Sequence, residues 1–328
     1  MSPTAAHLLP RRAVLAALAA APWAPWAGAA RAAEAAPAAI EIESGVYMLP
    51  GARGQPTPEN RGRIGNSGFI VGSRGVMAID AGISLRQGEA LLAAIAEVTP
   101  KPVKLLVLTH ARQEFLFGAA AFQARGIPVQ MQRQTAGLMA SRCEGCLKTL
   151  RRELGEDEMR GTAVPRPDVL FDETTVIETL GRPVLLQTQG HSSGPGDIAV
   201  LDVRTRSLFG GGLLDQGRIP DIQDSRLDGW HLALAGLRTL RPEVIVPGHG
   251  AASAPELIDT VERYLLRLER REAALLTSGT ALSEVPDASE LAEYRGWDQY
   301  DTIHRRNASI LFLRLEREQL VGAKGGQP

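Results

Sequence analysis

Val103-Lys-Leu-Leu-Val-Leu108, followed by Thr109-His110-Ala111-Arg112-Gln113-Glu114-Phe115, is the stretch on which the fold turns. The apolar run predicts a β-strand, because it is short and rich in leucine and valine. Pro100 and Pro102 stop the segment before it, Leu85 to Val98, whose apolar residues recur at helical three-four spacing. A polar loop follows the strand, and then an apolar helix over 116–125. A loop at the carboxyl end of such a strand is where an α/β protein places its chemistry. His110, with Arg112 and Glu114 beside it, is therefore the first candidate for a functional group.

Toward the N-terminus, Ile40–Glu43, Val46–Leu49, Gly68–Val71 and Val76–Ile79 read as short strands separated by glycine and serine turns. Toward the C-terminus a strand is expected over 127–130. Residues 132–161 look helical and contain Cys143-Glu-Gly-Cys146. Strands follow over 175–179, 184–189, 198–202 and 207–209, then a helix over 228–240. A strand over 244–246 runs into Pro247-Gly248-His249, and helices over 255–278 and 301–320 close the chain. Strands, then alternation, then strands and alternation again predict an α/β fold of two sheets face to face with helices outside, a four-layer αβ/βα sandwich.

The ends and the composition narrow the setting. A net charge of −1 over 328 residues gives no electrostatic reason to propose nucleic acid as a partner. Arg11-Arg12 precede an apolar block, Ala13 to Ala21, and Ala30-Arg31-Ala32 has the small-x-small pattern of a signal peptidase site. Residues 1–32 are therefore expected to be a signal peptide, 33–39 a linker and 40–328 the folded domain. The twin arginines suggest the Tat route, although Pro10, Ala13 and Val14 depart from its fuller consensus. The block is too short to span a bilayer, so the mature protein is expected to be periplasmic and not an integral membrane protein.

Three histidines sit in turns after expected strands: Leu-Thr-His110, Gln-Gly-His191 and Pro-Gly-His249. Imidazole is the commonest zinc ligand, and a catalytic zinc takes about three protein ligands plus an open position for water. One such histidine is more often structural. Three at strand ends can converge at one sheet edge.

Further motifs accompany them: Ala78-Ile-Asp80-Ala-Gly82, Thr188-Gln-Gly-His191-Ser-Ser-Gly-Pro-Gly-Asp197, Leu208-Phe-Gly-Gly-Gly212-Leu-Leu, Arg218-Ile-Pro220 and Val246-Pro-Gly-His249-Gly. Over residues 40–250 they resemble the metallo-β-lactamase superfamily. With Asp301-x-x-His304-x-x-Asn307, Leu313-x-x-Glu316 and the cysteine-containing helix, the chain looks most like exported bacterial proteins called quinoprotein relay system zinc metallohydrolases. The resemblance implies a dinuclear zinc hydrolase with a His-x-His-x-Asp-His loop. One zinc would take the positions of His110, Arg112 and His191, the other those of Glu114, Phe115 and His249, with a bridging carboxylate at Gly212.

Three of those seven positions match, and Glu114 could serve as a fourth. Arg112 does not lose its proton. A guanidinium about 5 Å from Zn²⁺ is repelled by roughly 7 kcal/mol at an effective dielectric near 20. Phe115 has no donor atom and Gly212 no carboxylate. At most one zinc is expected, on His110, His191, His249 and Glu114, where it would activate water against an ester, thioester or amide (including lactam) bond. The expectation preferred here is a degraded site without metal, Arg112 and Glu114 forming an ion pair and the pocket binding a small anionic molecule.

The remaining candidates carry smaller expectations. Asp80 is expected to support the His110 loop. Asp197 is expected in a turn, Asp215 to point elsewhere, and His231 and His304 to be packing or surface residues. Cys143 and Cys146 are expected to form a local disulfide pinning the start of a helix at Leu147–Leu154; a thiol-redox role is the alternative. A zinc knuckle would lack two ligands. The charged faces of the last helices are expected to be solvated, with docking of a periplasmic protein the alternative.

Overall fold

In a computed structural model the described residues are 38–325. The expected signal peptide and residues 33–37 of the expected linker lie outside them. Seven strands form the first sheet in chain order: β1 (Ile40–Glu43), β2 (Val46–Leu49), β3 (Ser67–Val71), β4 (Val76–Ile79), β5 (Val103–Leu108), β6 (Val129–Gln132) and β7 (Val169–Phe171). It is antiparallel from β1 to β4 and parallel from β4 to β7. The second sheet runs β8 (Thr175–Ile177), β9 (Val184–Thr188), β10 (Ile198–Asp202), β11 (Ser207–Asp215) and β12 (Val244–His249). Only its last pair, β11 with β12, is parallel.

The period-two geometry of a strand divides β4 and β5 between two cores. Met77, Ile79, Leu105 and Val107 pack with Val200, Phe209 and Val246 of the second sheet. Val76, Ala78, Leu106 and Leu108 face outward onto Leu91, Ile95, Phe122 and Leu150. Both faces are buried, which is why these strands read as unbroken apolar runs. On the far side of the second sheet, Leu208, Leu213 and Ile245 meet Trp230, Leu234, Val261 and Leu265. Three apolar interfaces separate four layers, the αβ/βα sandwich. Each fully buried leucine contributes about 2 kcal/mol to it.

One polar brace ties the sheets together. Arg182 makes a two-pronged pair with Asp202 at 2.5 and 2.7 Å, and also donates to the carbonyls of Ser44 and Val71.

Several element bounds differ from the sequence expectation. The helix expected over 132–161 is Arg133–Leu154 and ends at Gly155, which takes φ +87°. The helix expected over 116–125 is two short ones, Gln113–Leu116 and Ala119–Gln123. β7 was not expected as a strand. The last helix, Arg305–Gly325, is preceded by a π-turn at Tyr300–His304. β11 and β12 run on to Asp215 and His249, which decides what meets at the strand ends. Among the described residues no helix is long and apolar enough to cross a membrane.

Candidate functional site

Parallel pairing of β4 with β5 brings Asp80 and His110 to one edge, and parallel pairing of β11 with β12 sets Asp215 opposite His249. Asp80, at φ +52°, accepts the Thr109 amide at 2.9 Å and the Thr109 hydroxyl at 2.8 Å. That hydroxyl oxygen in turn accepts from His110 Nδ1 at 2.7 Å. Its only proton goes to Asp80, so the His110 proton sits on Nδ1 and Nε2 is left buried without a partner. Burial, with the Arg112 charge next, holds His110 down to about 3, and it is neutral at ordinary pH. Burial also lifts Asp80 to about 7 against the two Thr109 bonds.

The second half of the site is a row of alternating charges. His249 Nδ1 donates to Asp215 Oδ1 at 2.7 Å, and its Nε2 lies 3.4 Å from Glu114 Oε1, an ion-pair distance without hydrogen-bond geometry. The other Asp215 oxygen is 3.9 Å from Arg112 Nη1, while Arg112 Nη2 donates to the Asp221 carbonyl at 2.9 Å. Burial opposes the His249 imidazolium, but Asp215 and Glu114 outweigh it and raise its pKa. Burial likewise opposes the carboxylates; His249 and Arg112 overcome it, pulling Glu114 down to about 2 and lowering Asp215. With His249 protonated, the row Glu114–His249–Asp215–Arg112 is formally neutral.

Two expectations are corrected by this row. Glu114 does not pair with Arg112; it faces His249, because the short helix Gln113–Leu116 turns it toward β12. Asp215 does not point elsewhere. The bulged β11 delivers it opposite His249.

The other altered positions are filled. The Phe115 ring is fully buried and packs against both imidazoles, 4.3 Å from His110 and 5.2 Å from His249 between centroids. A Cβ on Gly212 would come within 2.8 Å of the His110 ring and 3.0 Å of Ser193 Oγ. A side chain at this position would have to displace the His110 ring or Ser193. His191 is exposed, and its Nε2–H donates to the Asp224 carbonyl at 2.8 Å. Two of the three histidines meet around Phe115, and the third is held away on another loop. Among the described residues, no three His, Cys, Asp or Glu side chains stand close enough to hold a metal. This arrangement does not fit a dinuclear zinc centre.

Beside the row opens a cavity of about 280 Å³, lined by Arg112, Arg142, Arg218 and Arg306 together with Glu114, Asp221, Asp224, Ser193, Cys143 and Cys146. Three of the arginines are paired: Arg142 with Asp224, Arg306 with Asp221 at 2.6 Å, and Arg218 with Asp298 at 2.7 Å. Arg112 has the longest pairing of the four, its nearest carboxylate oxygen, on Asp215, being 3.9 Å away. Cys143 and Cys146 are thiols in the middle of the continuous helix Arg133–Leu154. They do not pin the start of a helix at Leu147.

Sequence reasoning missed Arg142, Arg306, Asp221 and Asp224. The Arg218-Ile-Pro220 motif immediately before Asp221 was the available signal. It also missed Asn66, whose side chain donates to the carbonyls of Pro247 and Gly250 and steadies the His249 turn. Asn307 does the same for the Asp221 loop, donating to Pro220 and accepting from the Ile222 amide. His304 is a buried packing residue between Tyr264 and the Ser289 carbonyl, not a surface one. His231 is half-buried and pairs with Glu269 at 2.9 Å. Asp197 is buried and accepts the Ser193 hydroxyl.

The comparisons agree with this architecture. The profile of the metallo-beta-lactamase superfamily matches residues 60–249. No curated protein matches the chain. Among solved structures, the metallo-beta-lactamase from Pontibacter korlensis is similar at 24% identity, with a TM-score of 0.57 over 70% of this chain and 98% of that one. A metallo-beta-lactamase from Hirschia baltica is 18% identical, with a TM-score of 0.55 over 69% and 96%. FIM-1 from Pseudomonas aeruginosa, in its mono-zinc form, is 20% identical, with a TM-score of 0.54 over 70% and 94%. At these identities the likeness concerns the fold. The matched profile spans more than half of the chain, which belongs to the metallo-beta-lactamase superfamily.

Proposed function

We propose that this superfamily member binds a small anionic molecule in the arginine-lined cavity and is not a dinuclear zinc hydrolase. The observation that carries the reading is Arg112. Its guanidinium fronts the cavity, and its nearest carboxylate, Asp215, stands 3.9 Å away, an ion pair without a hydrogen bond. A planar guanidinium with unused donors recognises carboxylate or phosphate in two-pronged, charge-assisted fashion. Titration of the protein with succinate or phosphate, followed by thermal unfolding, tests it. Binding raises stability by about 2.7 kcal/mol at a hundredfold excess over Kd. Arg112→Ala is expected to weaken binding at least about tenfold, the loss of one charge-assisted bond. Unchanged affinity in that variant overturns the reading.

One observation favours a second reading, a one-zinc hydrolase of esters, thioesters or amides. His110 and His249 each have one ring nitrogen anchored, by Thr109 and Asp215, and the other without a hydrogen bond. Metal-ligating histidines are oriented in the same way. That reading needs His191 to leave the Asp224 carbonyl and Arg112 to swing out. Loss of hydrolysis and of bound zinc together on His191→Ala would support it.

We also place the chain in the periplasm, with residues 1–32 removed on export and a role near quinoprotein dehydrogenases. N-terminal sequencing of the mature protein checks the export; a first residue well before Ala30 contradicts it.

A further inference from the structure

The helix Arg133–Leu154 carries Cys143 and Cys146 on the wall of the arginine-lined cavity. Three residues apart on an α-helix, two Cα atoms stand about 5 Å from each other, inside the span that a disulfide bridges, while the Cβ atoms stand about 5–6 Å apart, so the turn has to tighten for the bond to close. The two thiols are unequal. Cys143 is buried at 1% exposure, while Cys146 is partly open. The two thiols are neighbours, and their interaction lowers the Cys146 pKa and raises that of Cys143, with burial adding to the latter. Arg142 beside the pair acts in the same direction on Cys146. Cys146 is the more accessible sulfur and the one an incoming disulfide reaches first.

Gly145, between the two cysteines, adds an independent observation. Nothing lies within 4 Å of the place its Cβ would occupy, so close packing does not call for a glycine there. In a helix interior it costs about 1 kcal/mol relative to alanine. What it provides is a pliable turn where two sulfurs would have to draw together. The arginines on the same cavity wall supply the third element, guanidinium groups within the cavity that an anionic group can reach by displacing their carboxylate partners.

We propose that Cys146 and Cys143 are a thiol–disulfide exchange pair acting on an anionic low-molecular-weight disulfide held by the cavity arginines. This rests on the anion-binding reading of the cavity and names its ligand class. The Cys146 thiolate attacks one sulfur of RS–SR; that S–S bond breaks, a mixed disulfide forms on Cys146, and RS⁻ leaves and takes a proton from solvent. Cys143 then gives its proton to solvent and attacks the Cys146 sulfur, and the second RS⁻ leaves and is protonated. The protein dithiol is oxidised to a Cys143–Cys146 disulfide and RS–SR is reduced to two RSH. No other oxidant is needed.

The test uses the reduced mature protein and two small disulfides of opposite charge, dithiodipropionate and cystamine, followed by intact mass and thiol titration. Wild type is expected to lose both thiols, with dithiodipropionate faster than cystamine by about tenfold at low salt. Cys143→Ser, and separately Cys143→Ala, should stop at a mixed disulfide on Cys146, and Cys146→Ser should form none. Gly145→Ala should form the mixed disulfide normally and resolve it more slowly. No adduct on Cys146 in either Cys143 variant overturns the proposal, as does cystamine reacting as fast as dithiodipropionate. Thiodipropionate, a thioether that cannot exchange, separates the two readings. Its binding without any exchange by dithiodipropionate would overturn the redox pair and leave anion binding standing.

Discussion

Glu114, His249, Asp215 and Arg112 show how four buried charges are made tolerable inside a protein by alternating in sign. Removing any one leaves the buried row with a net charge, which is more costly than removing the whole set. Glu114 has an ordinary value of 4.5 and sits at about 2 when folded. Its contribution is therefore complete above pH 4.5 and lost as pH falls toward 2. Glu114→Gln is expected to cost on the order of 3 kcal/mol near pH 6 and much less near pH 3, read by urea unfolding at both. An equal cost at the two pH values overturns the pairing with His249. His249 has the opposite sign: its pKa is raised, so its contribution is complete below about 6.5 and fades as pH rises through the folded value. Phe115→Ala, which empties the packing against both imidazoles, is expected to cost about 3–5 kcal/mol in the same assay. The positions of His110 and His249 could be read from their motifs, because each follows a strand directly. The His191 orientation could not, since it depends on the carbonyl of Asp224, a residue 33 positions away.

At the level of elements, β11 explains most of what was misread. Counted as a regular strand, it would carry Asp215 away from the site; its register shifts bring that residue opposite His249 instead. Gly212→Asp would restore a carboxylate of the family pattern, yet its Cβ would press on the His110 ring and Ser193. The variant is expected to lose about 1–3 kcal/mol and to gain no zinc affinity, checked by denaturant unfolding and zinc titration. Tight zinc binding by a stable Gly212→Asp protein would contradict the packing described. The Arg182–Asp202 brace, both side chains nearly fully buried, gives a further prediction. Arg182→Ala should cost about 3–5 kcal/mol because Asp202 is left buried and uncompensated. Central strands were legible because β4 and β5 are apolar on both faces. β7 was not, since Val169 and Leu170 are exposed at a sheet edge and follow Pro165 and Pro167, so no alternation marks them.

For the molecule as a whole, the four layers follow from the order of strands and helices, and the superfamily follows from motifs at the strand ends. The chemistry does not follow from either, because a fold hosts whatever its loops carry. Here the strand ends bring Arg112, Glu114 and Phe115 beside His110 and His249, and loops and helices together assemble four arginines around one cavity. The most direct test is zinc content. Untagged protein purified without chelator is incubated with excess zinc, desalted and measured by elemental mass spectrometry beside His249→Ala. The expected result is the same background zinc in both proteins, far below one ion per chain. One zinc or more per chain in the wild type, lost on His249→Ala, would contradict the proposal that the charge row leaves no zinc site.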